Sequence, residues 1–190
     1  MIGFAADVER SLDVLRSGGI ILYPTDTVWG LGCDATNPLA VDKIYKLKQR
    51  PENKNMIILL ADERDILQYI TEPDLNVFDY LKTVSKPTTV IYKGAIGIAD
   101  NIIARDGTVA IRIVKEVFCK HLIKRFRKPI VSTSANKSGD PSPGTFQEIH
   151  ADIRNGVDYV VRYRQDEKAI ADPSAIVKWN TNGTVTIIRS

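Results

Sequence analysis

The chain has 190 residues, 44% of them hydrophobic and 26% charged, and its 26 Lys and Arg against 23 Asp and Glu give a formal net charge of +3. That length suggests one domain with at most a small appendage, able to bury roughly 70% of its unfolded surface, and the composition excludes a disordered chain. A charge of +3 permits an anionic ligand or passing contact with RNA, whereas a surface dedicated to nucleic acid is usually more basic.

Val8, Leu12 and Leu15 recur at helical spacing, so residues 5–17 are expected to form a helix that Gly18-Gly19 ends. "IILYP" (20–24) reads as a buried strand stopped by Pro24. In the following "TDTVWGLGCDA", Thr-Asp-Thr and two closely spaced glycines suggest a chain reversal beside a cavity. Thr25, Asp26 and Thr27 lie where strand becomes loop, the usual place for ligands in α/β sheets. A turn capped by Asp26, with Val28 and Trp29 in the core, accounts for the same residues.

Asn37 as N-cap and Pro38 at the first helical position start a second helix. Val41, Ile44 and Tyr45 define its apolar face, and the next position on that stripe is Lys48. Lys48 therefore points toward the sheet from the helix's last turn. There it either snorkels, its charge favouring the C-terminal end of the dipole, or meets a polyanion such as a nucleotide triphosphate. Arg50 and Lys54 flank Pro51 in the exit loop as surface cations or as further partners of that anion.

"MIILL" (56–60) is a buried strand, Asp62 can cap a helix over 63–70, and 74–84 is a further helical segment. "TTVIY" (88–92) and "TVAIRIV" (108–114) read as strands on either side of a loop at 100–108. Alternation in the second places Thr108, Ala110 and Arg112 on one face. An arginine in mid-strand is costly if buried alone, so Arg112 faces water, pairs with an acid or binds an anion. Residues 116–126 look helical, and "PIVSTS" (129–134) is a strand feeding the hydroxyl-rich "VSTSANKSGDPSPGT" (131–145). Ser132, Ser134 and Asn136 alternate, so on an extended chain they share a face. Such groups suit phosphate, ribose or carboxylate oxygens, though a flexible surface loop has the same composition. A helix at 146–154 and strands near 158–163, 174–178 and 184–189 complete the chain. Helices alternating with strands that cluster at the end predict an α/β domain with a mixed, twisted sheet.

The patterns that are missing narrow the chemistry. There is no GxxxxGK[ST] or GxGxxG, and no Ser/His/Asp pattern. The two cysteines, Cys33 and Cys119, and the two histidines, His121 and His150, are not spaced as zinc ligands, and the thiols suit a reducing compartment. No apolar run approaches the ~20 residues that span a bilayer, and the N-terminus carries acids early and lacks a basic-then-apolar leader. The expectation is a cytoplasmic protein with no metal site of its own and no membrane contact. Cations, hydroxyls and amides remain, a set that positions and neutralises a polyanion, as enzymes of phosphoryl and nucleotidyl transfer do.

Taken together and in order, "GGIILYPTDTVWGLGCDA", "KLKQRP", "TVAIRI", "STSANKSGDPSP", "DPSAIV" and "IIR" resemble the YrdC family of threonylcarbamoyl-AMP synthases. The combination of K-x-R-P with S-x-S-A-N is specific, whereas either alone is weak. The resemblance, which is to the short form without the extra C-terminal domain of the longer synthases, implies an α/β fold around a large, positively lined cavity. It also implies a reaction: L-threonine, bicarbonate and ATP, with Mg²⁺, give L-threonylcarbamoyl-AMP and pyrophosphate. Transfer proteins of the tRNA modification pathway then place the threonylcarbamoyl group on adenosine 37 of tRNAs reading codons that begin with A. The resemblance carries Lys48 and Arg50 over as catalytic residues that hold the phosphates. Lys54, Thr108, Ser134, Asn136, Ser142 and Arg189 carry over as further ATP contacts, and Thr27, Arg112, Ser132 and Ser174 as threonine contacts.

The chain departs from the family's pattern in two places. Lys86 stands where the family often has glycine before the strand at 88–92, and Leu59 replaces a histidine found in longer relatives. The rival readings are a YciO-like paralogue, which lacks the intact K-x-R-P and S-A-N elements, and a carbamoyl-transfer domain of the hydrogenase maturation kind, normally part of a much longer chain. An RNA-binding module using the same basic concavity is the rival from another class. Its binding would weaken steeply with salt and ignore threonine.

Overall fold

In the computed structural model, which describes residues 3–51, 56–168, 172–180 and 183–190, five α-helices flank a nine-stranded mixed sheet. The strands are β1 (Ile21–Tyr23), β2 (Gly30–Gly32), β3 (Ile57–Leu60), β4 (Thr88–Lys93), β5 (Thr108–Ile113), β6 (Ile130–Ser134), β7 (Tyr159–Val160), β8 (Ala175–Trp179) and β9 (Val185–Arg189). They lie side by side in the order β7-β1-β2-β6-β3-β5-β4-β8-β9. The pairs β1–β7, β3–β5 and β4–β8 are parallel, and the other neighbours are antiparallel. The expected mixed α/β sheet is present.

The helices are α1 (Ala5–Arg16), α2 (Pro38–Lys48), α3 (Asn76–Thr83), α4 (Val117–Phe126) and α5 (Ala151–Asn155). Helix α2 starts where its capping signal places it, with the Asn37 side chain accepting from the N–H groups of Leu39 and Ala40. Two expected helices differ from what forms. The segment after Asp62 is a 3₁₀ helix, Glu63–Gln68, closed by a reciprocal capping box between Asp62 and Asp65. The helix expected over 146–154 starts only at Ala151, because His150 accepts the N–H of Asp152 and acts as its cap. At the departure before β4, the carbonyl of Lys86 accepts the Thr88 hydroxyl at 2.9 Å.

Strand alternation divides the core into two layers. Leu22, Leu31, Ile58, Ile111 and Val131 point to the face covered by Val41, Ile44 and Tyr45 of α2. Ile21, Tyr23, Leu59 and Ile130 point to the other face, under Leu12 of α1 and Phe118 and Leu122 of α4. That second face changes character along the sheet. Leu59 sits between Ile130 and Arg112, Arg112 faces Thr89, and Thr89 faces Ile176. Away from the helices the same pleat thus carries polar groups, and there the cavity opens.

Strand β2 was expected to be loop, since Gly-Leu-Gly carries little strand propensity. Its glycines are explained by close approach. A Cβ on Gly32 would lie 2.6 Å from the Tyr23 ring and 3.0 Å from both Ile130 Cγ2 and the Val131 carbonyl. One on Gly30 would lie 3.3 Å from Ser132 Oγ. Glycine inside a strand marks such an approach. Gly32→Ala should therefore destabilise the protein by about 1–3 kcal/mol, the usual range for overpacking. Gly30→Ala should cost less, and urea denaturation of both variants checks the order.

Candidate active site

Helix α2 ends on Gln49 in the left-handed region (φ 51°), and the Arg50 N–H returns to the Tyr45 carbonyl at 2.9 Å. Lys48, in the last turn, is only 1% exposed. It reaches inward as its register requires, but its ammonium does not face open space. It donates to the Ser134 carbonyl in a very short contact and to the Asn136 carbonyl at 2.6 Å. In return, the Ser138 N–H donates to the Lys48 carbonyl at 2.8 Å. The two motifs that carry the sequence resemblance are therefore joined through one residue. Burial, then the charge of Arg50, pushes the Lys48 amine down to about 7, while carbonyl acceptors favour its charged form. Burial also lowers the pKa of Arg50.

Beside this joint lies a cavity of about 260 Å³. Small-molecule sites usually run to about 300–1,000 Å³, so this cavity lies just below that range. Arg50, Arg112 and Arg189 all line it, with Thr27, Ser132, Ser134, Ser142 and Ser174. These residues come from the β1–β2 loop, the exit of α2, β5, β6 and its following loop, and the β8–β9 hairpin. Gly30 contributes by leaving its floor unfilled.

The lining has a gradient of depth. Thr27, Arg112, Ser132 and Ser174 are buried, Arg50 and Ser134 are half-buried, and Ser142 and Arg189 are exposed. At the deep end, Arg112 Nη2 lies 3.1 Å from Asp26 Oδ1, with side chains 3% and 9% exposed. Of the three possibilities open for this arginine, the structure shows pairing with an acid. The pair is close but poorly aligned, and Arg112 Nε and Asp26 Oδ1 are both buried without a hydrogen-bond partner among the described residues. Thr25 donates its hydroxyl proton to the Val28 carbonyl at 2.8 Å. In the 3.0 Å contact between the two threonine hydroxyls, Thr27 must then be the donor, which leaves its oxygen lone pairs free to accept. Arg189 donates through Nε and Nη2 to the Ser174 carbonyl at 3.0 and 2.8 Å, and Ser174 Oγ lies 2.9 Å from Thr89 Oγ1.

Two expected positions, Asn136 and Thr108, lie off this lining. Asn136 does not share the face of Ser132 and Ser134, because β6 ends at Ser134. Its amide turns to the carbonyls of Lys137 and Asp140 at 2.9 and 2.7 Å. Thr108 is buried at the start of β5, off the cavity wall, and donates to Asp106 at 2.7 Å. Lys54 lies outside the described residues. Asp26, weighed from sequence as a turn cap, is instead the partner of Arg112. Arg164 holds the same loop, donating to the Thr25 carbonyl at 3.1 Å, and no local pattern marks it.

The sequence model of the Sua5/YciO/YrdC family, described as "Telomere recombination", matches residues 13–190. This chain belongs to that family. The threonylcarbamoyl-AMP synthase of Vibrio parahaemolyticus serotype O3:K6 is 33% identical over 158 residues, which are 81% of this chain and 85% of that protein. Among solved structures, P. abyssi Sua5 complexed with L-threonine has a TM-score of 0.84 at 23% identity, covering 97% of this chain. This chain spans 54% of the P. abyssi chain. E. coli YciO has a TM-score of 0.82 at 20% identity, covering 97% of this chain and 89% of that one. These two likenesses show the fold.

The buried amine makes a test of its own. Its folded pKa of about 7 lies below the ordinary 10.5, so between those values the unfolded chain holds a proton that the native state lacks, and stability from this group rises with pH. Lys48→Met keeps the bulk and removes the titration. The wild-type urea midpoint, relative to the variant's, should therefore rise between about pH 6.5 and about pH 9. Parallel profiles would mean that the ammonium stays charged on its carbonyls.

Proposed function

We propose that this protein is a threonylcarbamoyl-AMP synthase, joining L-threonine, bicarbonate and ATP into L-threonylcarbamoyl-AMP with release of pyrophosphate. The product serves N6-threonylcarbamoyladenosine formation at tRNA position 37, through partner transfer proteins. The observation that carries this reading is the pairing of close relatives bearing that name with a cavity lined by three arginines and four serines.

The depth gradient supports a division of the site. A small amino acid fits the deep end, its carboxylate on Arg112 and its hydroxyl and amine within reach of Thr27, Ser132 and Ser174. The nucleotide lies toward the rim, over Arg50, Ser134, Ser142 and Arg189. Lys48 sits behind that rim; a phosphate that reaches it must compete with two carbonyls, so its first role in this reading is to hold the Ser134–Asn136 wall. In the reaction, bicarbonate takes a proton and loses water to give CO₂, threonine's neutral amine adds to the CO₂ and gives up a proton to leave a carbamate, and a carbamate oxygen attacks the α-phosphorus. The α–β phosphoanhydride bond breaks and pyrophosphate leaves. Each charge-assisted contact to the displaced phosphates contributes about 1.5–3 kcal/mol. No cluster of three or more metal-ligating side chains occurs among the described residues, so Mg²⁺ enters as part of the nucleotide substrate, held mainly by phosphate oxygens and water.

Pyrophosphate release by the purified protein should require L-threonine and bicarbonate together with Mg-ATP. Release that ignores threonine, or none at all with RNA binding retained, would overturn the reading. Within it, Arg112→Ala should raise the threonine requirement at least about tenfold, on the scale of one lost charge-assisted bond, and the ATP requirement far less. Equal effects on both substrates would remove Arg112 from the threonine end.

A further inference from the structure

Arg112 lines the deep wall of the cavity, and Asp26 pairs with it from behind that wall, so the two form a buried pair of zero net charge with consequences for which anions can enter. An unpaired guanidinium binds carboxylate and phosphate alike, and phosphate more strongly because of its higher charge. In a poorly solvated site the charge of a neighbouring carboxylate acts at nearly full strength. Asp26 Oδ1 is 3.1 Å from Arg112 Nη2, so an oxyanion that reaches Arg112 also feels the carboxylate behind it. An amino-acid zwitterion, itself of zero net charge, gains from Arg112 and adds no excess charge to the wall. A dianionic or trianionic phosphate is repelled by Asp26 in proportion to its charge.

Asp26 is held for this role. Its Oδ2 accepts the Lys115 N–H at 3.1 Å, while the Lys115 ammonium is turned away to the carbonyls of Val84 and Ser85, 3.4 Å from each. No second cation therefore offsets the carboxylate from that side. The neighbouring Thr25 carbonyl is fixed by Arg164, itself balanced by Glu167 and by Glu116 at 3.9 Å. By contrast, the guanidinium of Arg189 at the rim meets the Ser174 carbonyl and hydroxyl, groups with no charge to subtract from its own.

We infer that Asp26 is a specificity-determining residue: it offsets the pull of Arg112 and so keeps phosphate groups out of the amino-acid end of the cavity. This inference rests on the proposed assignment of Arg112 to the substrate carboxylate. It predicts a gain of binding, which a merely structural role for Asp26 would not produce.

The test is calorimetric titration of the full chain with L-threonine, alone and against inorganic phosphate or pyrophosphate. In Asp26→Asn and Asp26→Ser, phosphate should compete with threonine at least about tenfold more strongly than in the wild type. Asp26→Glu, which keeps the charge, should retain wild-type exclusion, and adding Arg112→Ala to Asp26→Asn should abolish the gain. Circular dichroism and the use of two neutral variants separate this from misfolding. Neutral variants that lose threonine without gaining phosphate would overturn the inference and leave Asp26 a structural residue. A wild-type protein that binds Mg-ATP but no threonine would instead overturn the proposed substrate, and this inference with it.

Discussion

An ammonium group placed where water cannot reach it must find oxygen acceptors, and Lys48 finds them on the chain leaving β6. Without the Ser134 and Asn136 carbonyls its charge would be stranded, at a cost of several kcal/mol. Without Lys48, those carbonyls would lose their donor as the strand gives way to a turn. The Ser138 N–H on the Lys48 carbonyl makes the dependence mutual. Arg50 is two residues beyond this joint and Ser132 and Ser134 lie just before it, so the positions of the cavity's rim and back wall follow from one buried contact. K-x-R-P and S-x-S-A-N are informative together because each supplies half of that contact.

The second constraint is the pleat. Residues of β6, β3, β5 and β4 that share one face run from apolar (Ile130, Leu59) beneath α1 and α4 to polar (Arg112, Thr89) beyond them. Leu59 and Arg112 are direct neighbours across that change. A leucine beside the guanidinium limits its solvation, which strengthens the coupling to Asp26 and raises the cost of any mismatch in charge. Burial of the arginine and the selectivity proposed for it have the same origin.

Much of this was legible in the sequence because it depends on local periodicity. The i, i+3, i+4, i+7 stripe of α2 set the inward direction of Lys48, and alternation in β5 set Thr108 and Arg112 on one face. What the sequence did not show depends on distant partners. Nothing near Asp26 indicates that it meets an arginine 86 positions later, and nothing near Gly32 indicates that the Tyr23 ring fills its missing side chain. The alternation of Ser132, Ser134 and Asn136 failed at its last member, because that pattern holds only while the chain stays extended.

Depth ties these points together. The residues proposed for threonine (Thr27, Arg112, Ser132 and Ser174) are all buried, and those at the rim, Ser142 and Arg189, are exposed. The cavity, about 260 Å³, is small beside the about 300 Å³ or more of drug-sized ligand sites. Under the proposed function the nucleotide therefore extends over the rim, where Arg50 and Arg189 provide positive charge and Ser142 and Ser134 provide hydroxyls. On the same reading its phosphates approach the deep end from outside, toward an arginine that a carboxylate already balances. The proposal thus superimposes a division by charge on the division by depth: zero net charge where a small zwitterion fits, and excess positive charge where a polyanion lies.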